Sequence, residues 1–158
     1  MPRPVYIICS ESGSEDAQTG LVSHYHVIEK LRVVDFAQLQ RQGAAVLVPT
    51  NMFRATAVWM RTEDDPPEQE FEFETAFYMP PDGEELVVQK GRFFFTPEKP
   101  LYRMMVSGQS SPLPAPGLLR VENRVRRVGA KEWIRQDFPI IVETIEPAQP
   151  PEPTPTPS

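Results

Sequence analysis

Two histidines, His24 and His26, lie one residue apart in the stretch 21–33, LVSHYHVIEKLRV, and the chain has no others. On a β-strand, residues i and i+2 point to the same face, so both imidazoles would reach one metal ion. A catalytic metal ordinarily takes three protein ligands and keeps one position open. With no third histidine, Cys9 or a glutamate would have to complete the set. The same strand reading puts Val22 and Ile28 on the histidine face and Tyr25 and Val27 on the other. His24 and His26 are therefore both a candidate metal pair and ordinary strand residues.

The other reactive residue types are sparse. Cys9 is the single cysteine, so it has no disulfide partner within the chain and nothing demands an oxidising compartment. It follows the apolar run VYII and precedes Glu11, Glu15 and Asp16, whose charges would raise a thiol pKa rather than lower it. A core or strand-end thiol is the expectation. Glu70, Glu72 and Glu74 alternate along one strand face and stand about 7 Å apart, too wide for one small ion without help from loops. They read as a solvated face. The polar loop ESGSEDAQTG, 11–20, lacks the regular acid spacing of an EF-hand.

The basic residues are better organised. In LLRVENRVRRV, Arg120, Arg124 and Arg126 share a face with Glu122 between them, and Arg127 lies opposite. That row could bind an acidic protein partner, or pair with a glutamate strand beside it in the same sheet. A phosphate backbone is disfavoured by the net charge of −6 and by the lack of glycine-rich loops and interleaved aromatics. Trp59, Trp133 and Tyr102 are the aromatic side chains available for a glycan platform. The chain has no Ser-His-Asp elbow, no phosphate loop and no CxxC pair, and no cofactor is expected.

The elements that position these residues follow from alternation. FEFETAFYM, 71–79, sets Phe71, Phe73, Thr75, Phe77 and Met79 on one side and glutamates on the other, a half-buried strand pattern. It runs into PPDG, which suits a tight turn closed by a left-handed glycine, and then into EELVVQKGRFFFT. MFRATAVWMRT, 52–62, is apolar on both faces and so reads as a central strand. PLYRMMVSG, LLRVENRVRRV and FPIIVETI supply further strands, the last two joined across Gly129. The one helical signal is DFAQLQRQG, with Asp35 as cap and Gly43 as stop. The expected fold is all-β: an antiparallel, immunoglobulin-like β-sandwich of seven or eight strands with one short helix.

The chain holds nineteen prolines against eight glycines, and the prolines are densest at the C-terminal end. The segment 146–158, EPAQPPEPTPTPS, holds no large apolar residue and cannot bury surface to offset its ordering entropy. It is expected to be a disordered, proline-rich tail beyond a single domain at 1–145. No run approaches the length needed to cross a bilayer, and the apolar run at 5–9 is too short for a signal-peptide core, so a soluble, cytoplasmic protein is expected.

The order of these elements resembles a known family. A short strand ending in YIICSE, 6–11, leads through a polar loop to a second strand opening at TGLVS, 19–23. A crossover, then RATAVWM, 54–60, and a terminal pair opening at PGLLRVE, 116–122, complete the pattern. This is similar to a bacterial family of small, uncharacterised β-sandwich proteins, a domain of unknown function, over 4–145. The family pattern often carries a Phe-Pro pair after the second strand, where this chain reads VVDFAQLQRQ. The resemblance implies a bacterial, non-enzymatic sandwich and carries no catalytic residues with it. The functional expectation is a protein-interaction or scaffolding module that binds a protein partner or itself. The alternative is a metal-dependent enzyme or a small-ligand or glycan binder using the His24 and His26 face.

Overall fold

A computed structural model describes residues 1–18, 21–34, 36–42, 46–47, 53–66, 69–107, 112–113 and 115–145. The proline-rich segment expected at 146–158 lies outside the described residues. So do Asp35 and Gly43, the cap and stop expected for the helix.

Two sheets make up the body. The first, sheet A, holds β2 (Val22–Val27), β1 (Arg3–Glu15), β5 (Arg54–Met60) and β8 (Leu101–Ser107), in that spatial order. The second, sheet B, runs β3 (Lys30–Val34), β11 (Ile134–Ile145), β10 (Gly117–Arg127), β6 (Glu70–Met79) and β7 (Glu84–Phe94). A small pair, β4 (Val46–Leu47) with β9 (Pro112–Leu113), and one helix, α1 (Phe36–Arg41), complete the described elements. All pairings are antiparallel except β3 with β11, which is parallel.

The two main sheets therefore hold nine strands, not seven or eight. The difference arises at the stretch 21–33. It is not one strand but two, because the chain leaves sheet A at Ile28 and enters sheet B at Lys30. Backbone bonds from Ile28 N–H to the Cys9 carbonyl and from Ile141 N–H to the Glu29 carbonyl fix this crossover at 2.8 and 2.9 Å.

The core lies between the sheets and follows the alternation. Ala55, Ala57 and Trp59 of β5 face Phe71, Phe73 and Phe77 of β6 and Leu119, Val121 and Val125 of β10. Burying aromatic and branched side chains at roughly 25 cal/mol per Å² of apolar surface is what drives the two layers together. β5 is central, as its two-sided apolarity demanded: Thr56 and Val58, on its outer face, are buried as well. The PPDG turn closes the β6–β7 hairpin with Gly83 at φ 73°, a conformation that only glycine adopts without cost.

One polar group is set inside this core. Asn123 occupies a core-facing position of β10 between Val121 and Val125 and is fully buried. Its carboxamide oxygen accepts from Trp59 Nε1 at 2.6 Å, and its nitrogen donates to Thr75 Oγ1 at 2.8 Å and to the Glu74 carbonyl at 3.3 Å. Because Trp59 belongs to sheet A and Asn123 and Thr75 to sheet B, this chain of bonds clasps the two layers in one register.

Candidate functional site

The sandwich is open on the side where β7, an edge of sheet B, lies near β8, an edge of sheet A. A groove of about 370 Å³ runs there, lined by Glu70, Arg92, Phe93, Phe94, Leu101 and Tyr102 among others. Its floor is aromatic: Phe93 stacks on Tyr102 with ring centroids 4.1 Å apart and meets Phe95 edge-on at 5.3 Å. Its rim is open and carries exposed apolar side chains among charged ones, with Phe94 at 55% and Leu101 at 52% exposure. Leu86 and Val87 on β7 and Met105 on β8 are exposed too. In FFF, 93–95, alternation buries the first and last rings and must turn Phe94 outward. Two phenylalanines ending an edge strand, followed directly by a third, are the sequence signal for this patch.

The two histidines do not share an environment. Antiparallel pairing links Ser10 with Val27 and then Ser12 with Tyr25, and between them His26 takes a left-handed φ of 54°. That break lets the distal half of the β1–β2 hairpin fold back across the outer face of sheet A. A straight strand would carry Glu15 roughly 30 Å from Tyr6, at about 3.4 Å per residue. Instead Glu15 meets Arg103 at 2.9 Å, and Arg103 stands in the same cross-sheet row as Tyr6 and Val58. Arg54 donates to the Gly13 carbonyl at 2.9 Å, and the His24 ring packs edge-on against Tyr6 at 5.8 Å. This folded-back flap is what covers Thr56 and Val58.

His24 thus faces inward under the flap, while the His26 ring is 79% exposed and bonded to Glu11 at 2.9 Å. Burial first, then the positive charges of Arg103 and Arg54, hold the His24 imidazole below its ordinary pKa. A metal cation at His24 would sit in the field of those same two guanidinium groups. Among the described residues, no group of three or more His, Cys, Asp or Glu side chains is placed to hold an ion. Cys9 is fully buried in the core, where desolvation pushes its thiol up to about 12.

The arginine row is engaged within its own sheet. Arg124 pairs with Glu74 across the β10–β6 register and with Glu85 of β7 at 2.6 Å, and lies 3.6 Å from Glu122. Arg126 pairs with Glu72 and lies over the Trp133 ring at 4.1 Å. Arg120 lies over the Tyr78 ring at 4.3 Å. The pairing of the basic row with the neighbouring glutamate strand is therefore realised, and the Arg124 side chain keeps only 12% exposure. Glu122 beneath it is nearly closed off at 4% and accepts from Tyr78 Oη at 3.2 Å. Of the aromatic candidates, Trp59 is buried, Trp133 lies beneath two arginines, and Tyr102 forms part of the groove floor.

No helix among the described residues is long and apolar enough to cross a membrane. Neither a protein-family model nor a curated protein matches this chain.

Proposed function

We propose that the chain is a non-enzymatic protein-interaction module whose partner lies in the open β7–β8 groove. The observation that carries this reading is the rim: Phe94 and Leu101 are each more than half exposed beside two strand edges that no other described strand pairs with. Contiguous exposed apolar surface of this kind marks interaction sites in soluble domains. Free edges of β7 and β8 offer backbone N–H and C=O groups that an extended partner segment can pair with. The register shift opposite Thr75 and Ala76 and the exposed Lys90 guard the middle of β7 against indiscriminate pairing. Recognition is accordingly centred on 91–94 and on the start of β8. Arg92 and Lys99 make the rim more basic than acidic, with Glu70 as the opposing charge, which suits a partner with apolar anchors and acidic flanks.

The same reading takes the sandwich as immunoglobulin-like, residues 146–158 as a solubilising tether, the cytoplasm as the compartment and the bacterial family as the kinship. The test compares the wild type with Phe94→Asp combined with Leu101→Asp. Both substitutions are at exposed positions, so circular dichroism should show an unchanged fold. Affinity capture from the source cell, with light scattering for self-association, should then show the partner retained by the wild type and lost by the variant. A partner bound equally by both would overturn the assignment of the groove.

A further inference from the structure

The flap encloses a polar cluster that neither the core nor the groove uses. Beneath it lie the outer-face residues of sheet A: Ser10 paired with Arg54, Thr56 next along β5, and Arg103 beside Val58. Ser10 and Thr56 are fully buried, yet neither hydroxyl has a partner. Both ring nitrogens of His24 and Nε of Arg103 are likewise buried and unpartnered. Folded proteins pair nearly all their buried polar atoms, so five orphans under one hairpin ask for an explanation. The two hydroxyls, the guanidinium Nε and one nitrogen of the neutral imidazole can each donate, so the cluster offers four donors to one incoming acceptor.

Its charge points the same way. Arg54 and Arg103 face the cluster from β5 and β8, His24 from β2, Tyr6 from β1, and Glu15 from the far end of β1 is the acid that pairs with Arg103. Two fixed positive charges therefore meet one carboxylate, in a chain whose net charge is −6. We infer that the space under the β1–β2 flap is a site for a small free oxyanion, of phosphate or carboxylate type. Arg103, Arg54, His24, Ser10 and Thr56 hold it, and Glu15 is the built-in competitor.

Entry requires the flap to lift, since the orphan atoms are closed off when it is down. Of its clasps, the Glu15–Arg103 pair is weak, because Glu15 is 53% exposed and water screens it, which leaves the single bond from Arg54 to the Gly13 carbonyl. The bend at His26, whose exposed ring is bonded to Glu11, supplies a hinge. Gly13 lets Arg54 approach the flap closely: a Cβ there would lie 3.2 Å from its guanidinium, and 2.8 Å from the Ser23 carbonyl within the hairpin itself.

The test is a proton NMR titration of the two histidine rings in the intact chain, with inorganic phosphate or acetate added at constant ionic strength. His26, exposed and beyond the bend, is the internal control. A bound anion reverses the field at His24, so the His24 pKa should rise on addition while the His26 ring signals do not respond to the anion. Glu15→Gln removes the competitor and should tighten the anion by up to about fivefold, the most that a half-exposed pair can withhold. Arg103→Met should abolish the His24 response. A response to acetate but not phosphate keeps the site and makes its ligand a carboxylate. If His24 and His26 respond alike to both anions, or if Glu15→Gln leaves the affinity unchanged, the site does not exist.

Discussion

Replacing Asn123 with leucine tests how the two layers are clasped, and its cost can be worked out from the bonds. Leucine keeps the branching and the heavy-atom count of the asparagine side chain but is bulkier, so some overpacking adds to the loss of the bonds. What is lost is the acceptor for Trp59 Nε1, now 2.6 Å away in a site with no exposure for either residue. An indole N–H left unsatisfied in the interior costs about 1–3 kcal/mol. The bonds to Thr75 and to the Glu74 carbonyl add less, since removing a donor leaves acceptors whose desolvation is cheaper to bear. One rescue is at hand. Gln136, turned end for end, brings its carboxamide oxygen to 3.1 Å from the same indole nitrogen. Asn123→Leu alone should therefore cost about 1–2 kcal/mol, and the double variant with Gln136→Leu about 3 kcal/mol, more than the sum of the two single changes. Urea unfolding followed by far-ultraviolet circular dichroism measures all three. Strict additivity, or an Asn123→Leu variant as stable as the wild type, would refute the clasp.

Arg124→Met should destabilise by roughly 3 kcal/mol, because it removes the cation paired with Glu74 and leaves the nearly closed Glu122 only the more distant Arg135, at 3.9 Å. Arg92→Met, whose pair with Glu70 is exposed on both sides, should cost less than about 1 kcal/mol in the same urea assay. Stability should fall on acidification in two stages, read by thermal melts between pH 8 and pH 3. The folded His24 pKa lies below the ordinary 6.5, so the unfolded chain binds the proton first and stability is lost as pH falls below that value. Glu15 and both arginines persist in His24→Gln, which should remove this first stage alone. At Asp65, burial pushes the carboxyl up. Hydrogen bonds from the Met1 ammonium, Thr62 and Arg127 outweigh that and hold it below the ordinary 3.8. Its contribution is thus complete above that value and is lost as pH falls through the lower, folded pKa, giving the second stage. Cys9, pushed up to about 12, should resist alkylation at pH 8 except at the rate of global unfolding, which pulsed labelling in increasing urea would reveal.

Alternation made several elements legible from residues alone. The pattern of β6, the PPDG turn, the two-sided burial of β5 and the β10–β11 hairpin were all readable because period-two placement fixes which side chains enter the core. Strand neighbours were not readable, since alternation assigns faces and leaves partners open. That is why the arginine row was ambiguous until the register set Arg124 beside Glu74 and Arg126 beside Glu72. The flap was hidden for a different reason. The start of the polar stretch 11–20 is strand, yet with one face to water and the other on a partly polar surface it shows no hydrophobic period. His26 in turn is a non-glycine residue at positive φ, a local break no pattern announces. Asn123 did leave a trace, as the one polar residue at a core-facing position between Val121 and Val125. Phe94 left another, as the middle ring of three consecutive phenylalanines.

The central claim is that the β7–β8 groove is where a protein partner sits, and site-specific photo-crosslinking tests it most directly. A photoreactive phenylalanine analogue placed at position 94 should yield a discrete crosslinked product in the source cell. The same analogue at Tyr25, equally exposed but on the outside of the flap, should yield none. Equal crosslinking at both positions, or a product at 25 and none at 94, would contradict the account.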